Sequence, residues 1–214
     1  MSNPLFLYTD AMNVENTPIE PQTTHPQAQN SPKKSKVKNV IKEIVIFAAI
    51  AFGIVLPFRI YIAEPYLVDG RSMDPTFETG DYLIVDKISY RSAQPKRNSV
   101  LVFKYPSNTK KSFIKRVIGL PGETILVKNN TVKITNAENP EGFMLDQSYI
   151  THASSNTFEI TLAGDEYFVM GDNRLESFDS RSWGPLKKEY ILGKPILRLL
   201  PISKIGLAPG EVAK

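Results

Sequence analysis

Hydrophobic positions fall into two regimes along the chain. Ile44–Phe58 is fifteen residues without a charge, and the apolar character resumes after Arg59 in Ile60-Tyr61-Ile62-Ala63. A bilayer core needs about twenty apolar residues, so the extension through Ala63 supplies the missing length. Arg59 is expected to snorkel toward outer headgroups, with Tyr61 and Tyr66 as interfacial anchors. Pro57 sits near the end of the run, where a kink costs least. From Tyr66 onward the pattern changes to short runs rich in β-branched and aromatic residues. Tyr66–Asp69, Tyr82–Ile88, Ser99–Lys104, Ser112–Ile118, Thr124–Val127, Val132–Thr135, Thr157–Leu162, Tyr167–Met170 and Tyr190–Leu200 read as strands. Pro195 weakens the last of them. Pro121-Gly122, Asn129-Asn130, Ala163-Gly164-Asp165 and Gly171-Asp172-Asn173 carry turn chemistry. The prediction is an all-β, barrel-like or sandwich domain behind one N-terminal transmembrane helix.

The flanks of the apolar run set its expected orientation. Residues 1–32 are rich in Pro, Thr, Asn and Gln and hold no lysine or arginine. With no periodic apolar face they are expected to be a disordered tail, Leu5-Phe6-Leu7-Tyr8 being a small apolar exception. Lys33, Lys34, Lys36, Lys38 and Lys42 follow, directly before the run. Lysines beside a spanning helix favour the cytoplasmic side. Cleavage after Ala63 would put Tyr61 at −3, a poor fit to a removable leader, so the segment reads as an uncleaved anchor. The expected organisation is a cytoplasmic tail at 1–32, a basic flank and anchor at 33–63, and an extracytoplasmic β-rich domain at 64–214. Residues 136–165, more polar and irregular, read as an insertion or small subdomain.

Composition narrows the chemistry. The 214 residues are 42% hydrophobic and 22% charged, a globular balance. A net charge of +4 does not by itself suggest nucleic acid. With no cysteine, a thiol nucleophile, thiolate metal sites and disulfides are excluded. Only His25 and His152 are available as imidazoles. His25 lies in the expected cytoplasmic tail and His152 in the polar insertion, so a Ser-His-Asp arrangement has little to draw on.

Three segments carry candidate chemistry. In Val68-Asp69-Gly70-Arg71-Ser72-Met73-Asp74-Pro75-Thr76-Phe77 a serine sits in a turn just beyond the anchor. Gly70 permits a conformation that a side chain would block, and amides around Ser72 would then face a developing oxyanion. Pro75 fixes the turn. A serine needs a base. In Ser112-Phe113-Ile114-Lys115-Arg116-Val117-Ile118, period-two alternation puts Phe113, Lys115 and Val117 on one face. An ammonium between apolar side chains loses solvation, which favours the neutral amine. Arg116 would add a positive field in the same direction. Spacing alone still favours the plainer reading, a strand lysine whose head reaches water. The third segment, Gly171–Gly184, combines acids, arginines, serines and the only tryptophan. Asp179 and Arg181 are placed to pair there. A surface pair would contribute little stability, which points to a positioning role.

Across residues 43–205 these pieces resemble the bacterial type I signal peptidases, membrane-bound serine endopeptidases with a Ser-Lys dyad. The motifs that carry the resemblance are Gly-Arg-Ser-Met-Asp-Pro-Thr at 70–76, Gly80–Lys87, Lys115–Glu123 and Gly171–Gly184, in that order after an anchor helix. The resemblance implies a signal-peptidase-type β fold, Ser72 as nucleophile and Lys115 as general base. It implies that Ser177 orients the lysine amine and that Asp179 and Arg181 form a supporting pair. Val68, Met73 and Ile114 would line small pockets for the −1 and −3 residues of a preprotein. Preproteins and a lipid bilayer are the implied partners, with no nucleic acid, no metal and no organic cofactor. Two positions depart from the family pattern. Gly70 replaces the serine that some members use as an oxyanion donor, and Leu175-Glu176 stand where Asp-Asn is usual. Two other classes remain as alternatives: a self-cleaving Ser-Lys repressor, which would carry a DNA-binding domain in place of the anchor, and a catalytically silent membrane-anchored binding module.

Overall fold

The computed structural model describes residues 33–129, 131–150 and 157–212. The expected tail at 1–32, His25, Asn130 and His152 lie outside the described residues. The chain divides into two units, Met1–Ile44 and Val45–Lys214. The first, as far as it is described, is the N-terminal part of one helix. Helix α1 (Lys33–Ile50) passes through a π-helical turn at Ala51–Val55 into α2 (Leu56–Tyr61). The wide turn directly precedes Pro57, which has no N–H to give the preceding turn; Leu56 N–H instead reaches back to Ala51 O. Within Lys36–Tyr61 an 18-residue stretch has a mean hydropathy of 2.3 and buries none of its residues, and the helix is long and apolar enough to cross a membrane.

The second unit continues into β strands almost at once. The strands are β1 (Ala63–Leu67), β2 (Tyr82–Asp86), β3 (Val100–Tyr105), β4 (Asn108–Gly119), β5 (Thr124–Lys128), β6 (Thr131–Thr135), β7 (Phe143–Met144), β8 (Thr157–Thr161), β9 (Glu166–Met170), β10 (Leu186–Lys187), β11 (Ile191–Leu200) and β12 (Gly206–Leu207). Short helical turns α3 (Ser89–Ser92) and α4 (Ser180–Trp183) lie between them. The larger, 8-stranded sheet runs β1-β2-β11-β3-β4-β9-β10, with β12 on β11. The smaller, 4-stranded sheet runs β7-β6-β5-β8. All pairings are antiparallel. The smaller sheet starts at Thr124, ahead of the polar stretch expected to form a subdomain.

Alternation in the sequence accounts for the strands, because β2, β5 and β6 bury every second residue. β1 runs Ala63–Leu67 where the sequence pattern predicts Tyr66–Asp69, so it starts three residues earlier and Tyr66 lies inside it. β11, the interrupted strand, lies between β2 and β3, and a register shift between Pro195 and Leu197 accommodates the proline. The core has three parts. Leu101, Phe103, Val117, Tyr167 and Val169 pack on one side of β3, β4 and β9. Ile118, Phe168 and Met170 join the small sheet through Ile125, Val127, Val132 and Ile134. Val68, Met73, Phe77, Leu83 and Val100 form the third, beneath the Ser72 turn, with Ile114 packed against it.

Candidate active site

Three segments meet at Lys115, within β4. Past β1 the ladder with β2 continues through Val68 N–H to Asp81 O at 2.9 Å and Gly80 N–H to Val68 O at 3.0 Å. Between these rungs the chain loops out as Asp69–Thr79, and Ser72 sits in that loop. Lys115 lies on β4 opposite Leu101 of β3. β4 pairs with β9 from Arg116 onward, Arg116 facing Met170. Gly171, the residue after Met170, therefore lies level with Lys115. A Cβ at Gly171 would collide with the Ser72 carbonyl oxygen and the Ser177 side chain, so only glycine allows the three segments to approach this closely. Asn173 N–H closes the junction by donating to Ser72 O at 3.1 Å.

Lys115 Nζ lies 2.7 Å from Ser72 Oγ and 3.0 Å from Ile114 O. The lysine is only 4% exposed, and Nζ is 5.4 Å from the centre of the Phe113 ring. Burial pushes its pKa down from 10.5 to about 8; Asp179 and Asp172 oppose the drop and Arg181 assists it. The alternation around Phe113 and Val117 thus leads to a desolvated amine and not to a solvated strand lysine. The expected field from Arg116 has a different outcome. Its guanidinium is buried and held bidentately by Asp172, Nε to Oδ1 at 2.8 Å and Nη2 to Oδ2 at 2.6 Å. Asp172 Oδ2 also accepts the Thr76 hydroxyl at 2.6 Å. This carboxylate, not singled out in the sequence, ties the Ser72 loop to the strand bearing Lys115.

Asp179 and Arg181 do pair, through Nε–Oδ1 at 2.8 Å and Nη2–Oδ2 at 2.9 Å. The pair is not at the surface, because the side chains are 0% and 5% exposed. Asp179 caps α4 and accepts the Gly171 amide at 3.0 Å, and Arg181 donates to Arg174 O at 2.8 Å. It therefore fixes the loop that abuts Lys115. A buried pair of this kind is strongly destabilising to break, since one charge is left uncompensated. Ser177 Oγ accepts the same Gly171 amide at 3.1 Å. Among the described residues it has no hydrogen bond to Lys115.

Beside Ser72 and Lys115 runs a groove of about 540 Å³. It is lined by residues 66–72 and 111–115, together with Leu83 and Val102. Val68 and Ile114 are among the lining residues; Met73 is not, being 1% exposed and buried in the core beneath the loop. Gly70 has φ +103°, in the region that favours glycine. The Ser72 amide makes no hydrogen bond among the described residues, which leaves it free as a donor. No cluster of His, Asp or Glu suited to a metal occurs among them either.

A family model for signal peptidase, peptidase S26, matches residues 38–200. The probable signal peptidase I-2 of Synechocystis sp. is 34% identical over 87% of this chain and 84% of its own. The signal peptidase I of Leptolyngbya laminosa is 33% identical over 92% of this chain and 94% of its own. That of Bacillus caldolyticus is 34% identical over 72% of this chain and 89% of its own. With a hydroxyl against a desolvated amine at the mouth of a groove, and with matches over nearly the whole described chain, the protein belongs to the peptidase S26 family of signal peptidases.

Proposed function

We propose that Ser72 is the nucleophile and Lys115 the general base of a membrane-anchored endopeptidase that removes signal peptides from exported preproteins. The observation that carries this reading is the 2.7 Å approach of Nζ to Oγ inside a site where the lysine is 4% exposed. In the neutral form the amine takes the proton from Oγ as Oγ bonds to the scissile carbonyl carbon. The Ser72 N–H receives the resulting oxyanion. The ammonium then returns its proton to the leaving amine as the C–N bond breaks, giving an acyl-enzyme. A water, deprotonated by the same amine, attacks the ester and releases Ser72. Asp179 and Arg181 hold the loop beside the lysine, and Ser177 holds Gly171 in place.

The groove suits an extended peptide. β1 is the terminal strand of its sheet, and β4 lacks a second partner before Arg116 among the described residues. Backbone pairing to these edges would hold the preprotein, as in β-strand addition. Val68 and Ile114, with Leu83 and Val102, form walls that admit only small side chains at −1 and −3. Residues 1–32 are the cytoplasmic tail, 33–63 the basic flank and anchor, and 64–214 the extracytoplasmic peptidase domain. The anchor confines enzyme and substrate to one membrane surface and raises their effective concentration.

The test is cleavage, in detergent, of a preprotein with Ala at −3 and −1. Ser72→Ala and Lys115→Ala are each expected to lose roughly 10⁴-fold or more in rate. If either variant cleaves like the parent, the dyad assignment is wrong.

A further inference from the structure

Gly70, where some members of the family carry a serine, offers no side-chain hydroxyl, and its φ of +103° disfavours any side chain there. The space a Gly70 side chain would enter is open, but the Gly70 backbone is held by a hydroxyl from a residue nine positions on. The Gly70 amide donates to Thr79 Oγ1 at 3.1 Å, and the Thr79 hydroxyl donates to Gly70 O at 3.2 Å. One O–H thus satisfies both backbone groups of one glycine. Thr79 directly precedes Gly80, whose amide makes one of the two rungs closing the base of the loop. The hydroxyl therefore bridges the two strands of the loop just beyond that base, on the side of Ser72.

We propose that Thr79 is a positioning residue for the oxyanion site, holding Gly70 in its left-handed turn so that the unpartnered Ser72 amide is presented to the scissile carbonyl. The inference rests on the reading of Ser72 as nucleophile. Two consequences follow from the bonding. The Gly70 N–H is already spent on Thr79, so it cannot donate to a peptide, and apart from Arg71 the last residue before Ser72 with an N–H to offer a substrate ladder is Asp69. The turn then delivers the chain to Ser72 with its N–H free. Without the hydroxyl, Gly70 would have both groups open to water and a wide range of conformations to sample. The amide of Ser72 would lose its fixed direction, although Ser72 and Lys115 remain unchanged.

The experiment compares Thr79→Val, Thr79→Ala and Thr79→Ser with the parent, alongside Ser72→Ala, in detergent. Removing a direct oxyanion donor costs about 10²–10³ in kcat, so loosening one is expected to cost about 10- to 50-fold. Val and Ala should both show this loss in kcat with KM unchanged, and Ser should restore parental kcat. A peptide aldehyde, whose adduct with Ser72 mimics the tetrahedral intermediate, should bind more weakly to the Val and Ala variants by the same factor. The corresponding peptide alcohol, which forms no adduct, should bind all variants alike. Parental kcat in the Val and Ala variants, a loss that Ser does not restore, or equal weakening of alcohol and aldehyde would each overturn the proposal. Activity of Ser72→Ala would instead sink the dyad reading beneath it, which separates the two failures.

Discussion

Replacing Lys115 with Met separates what the amine does for catalysis from what it does to the fold. The lysine titrates at 10.5 when solvated and at about 8 in its buried position. At about 1.4 kcal/mol for each pH unit, the drop of about 2.5 means that burying the ammonium costs about 3 kcal/mol. Below pH 8 folded and unfolded chains are both protonated, and the full penalty applies. Between about pH 8 and 10.5 the unfolded chain holds a proton that the folded chain has released, so stability rises with pH. Above 10.5 both are neutral and the penalty is gone. Methionine removes it at every pH but gives up the contacts of Nζ with Ser72 Oγ and Ile114 O. The hydroxyl borders the groove and can turn to water, so the loss is about 1 kcal/mol. The variant is therefore expected to be inactive and yet about 2 kcal/mol more stable at pH 7, an advantage that disappears by pH 10.5. Urea unfolding of the detergent-solubilised chain, followed by fluorescence, reads this directly. Trp183 is the only tryptophan and packs on Phe103 and Tyr105, at ring separations of 5.9 and 6.0 Å. A Met variant no more stable than the parent at pH 7, or a difference that stays constant up to pH 10.5, would refute the reasoning.

With neutral Lys115 as the proposed base, kcat/KM of the parent should rise with pH and level off above about 8, as a pH-rate profile in detergent would record. A limb continuing toward 10.5 would mean a solvated lysine. Gly171→Ala would press a methyl group into the Ser72 carbonyl and Ser177, and a displacement on the order of 1 Å should lower kcat/KM about 10²-fold with KM little changed. Parental kinetics in that variant would show that the three segments do not depend on their close approach. In sealed inside-out vesicles, added protease should digest residues before Lys33 and spare the β-domain; the opposite pattern would reverse the proposed topology.

The strands were legible because each short run alternates or is bounded by turn residues, and the anchor because no charge interrupts it. Even β11, with Pro195 inside it, was visible as a run. Its place between β2 and β3 was not, because nothing local encodes a partner so distant along the chain. β7, β10 and β12 were missed for a simpler reason, being two residues each and too short for any period. At the site, alternation around Lys115 gave the apolar neighbours Phe113 and Val117. It could not reveal that the segment after β9 lies level with Lys115 and meets the Ser72 loop there. The same limit applies to Arg116, whose partner Asp172 is 56 residues away, and to the burial of Asp179 with Arg181. Thr79 carried no signal, since an isolated threonine before Gly-Asp reads only as turn chemistry.

The late arrival of β11 has a consequence for how the protein is made. Residues 191–200 form the strand between β2 and β3, so the large sheet lacks its middle until they are available. A chain extending only as far as Gly184 already carries Ser72 and Lys115, but β2 and β3 then lack the strand that pairs with both, and only loop contacts and the core beneath the Ser72 turn join them. Chains ending at Gly184 are accordingly expected to show no peptidase activity. The catalytic pair is thus expected to become competent only when the last long strand has joined β2 to β3, so that activity follows completion of the sheet and not the presence of Ser72 and Lys115 alone.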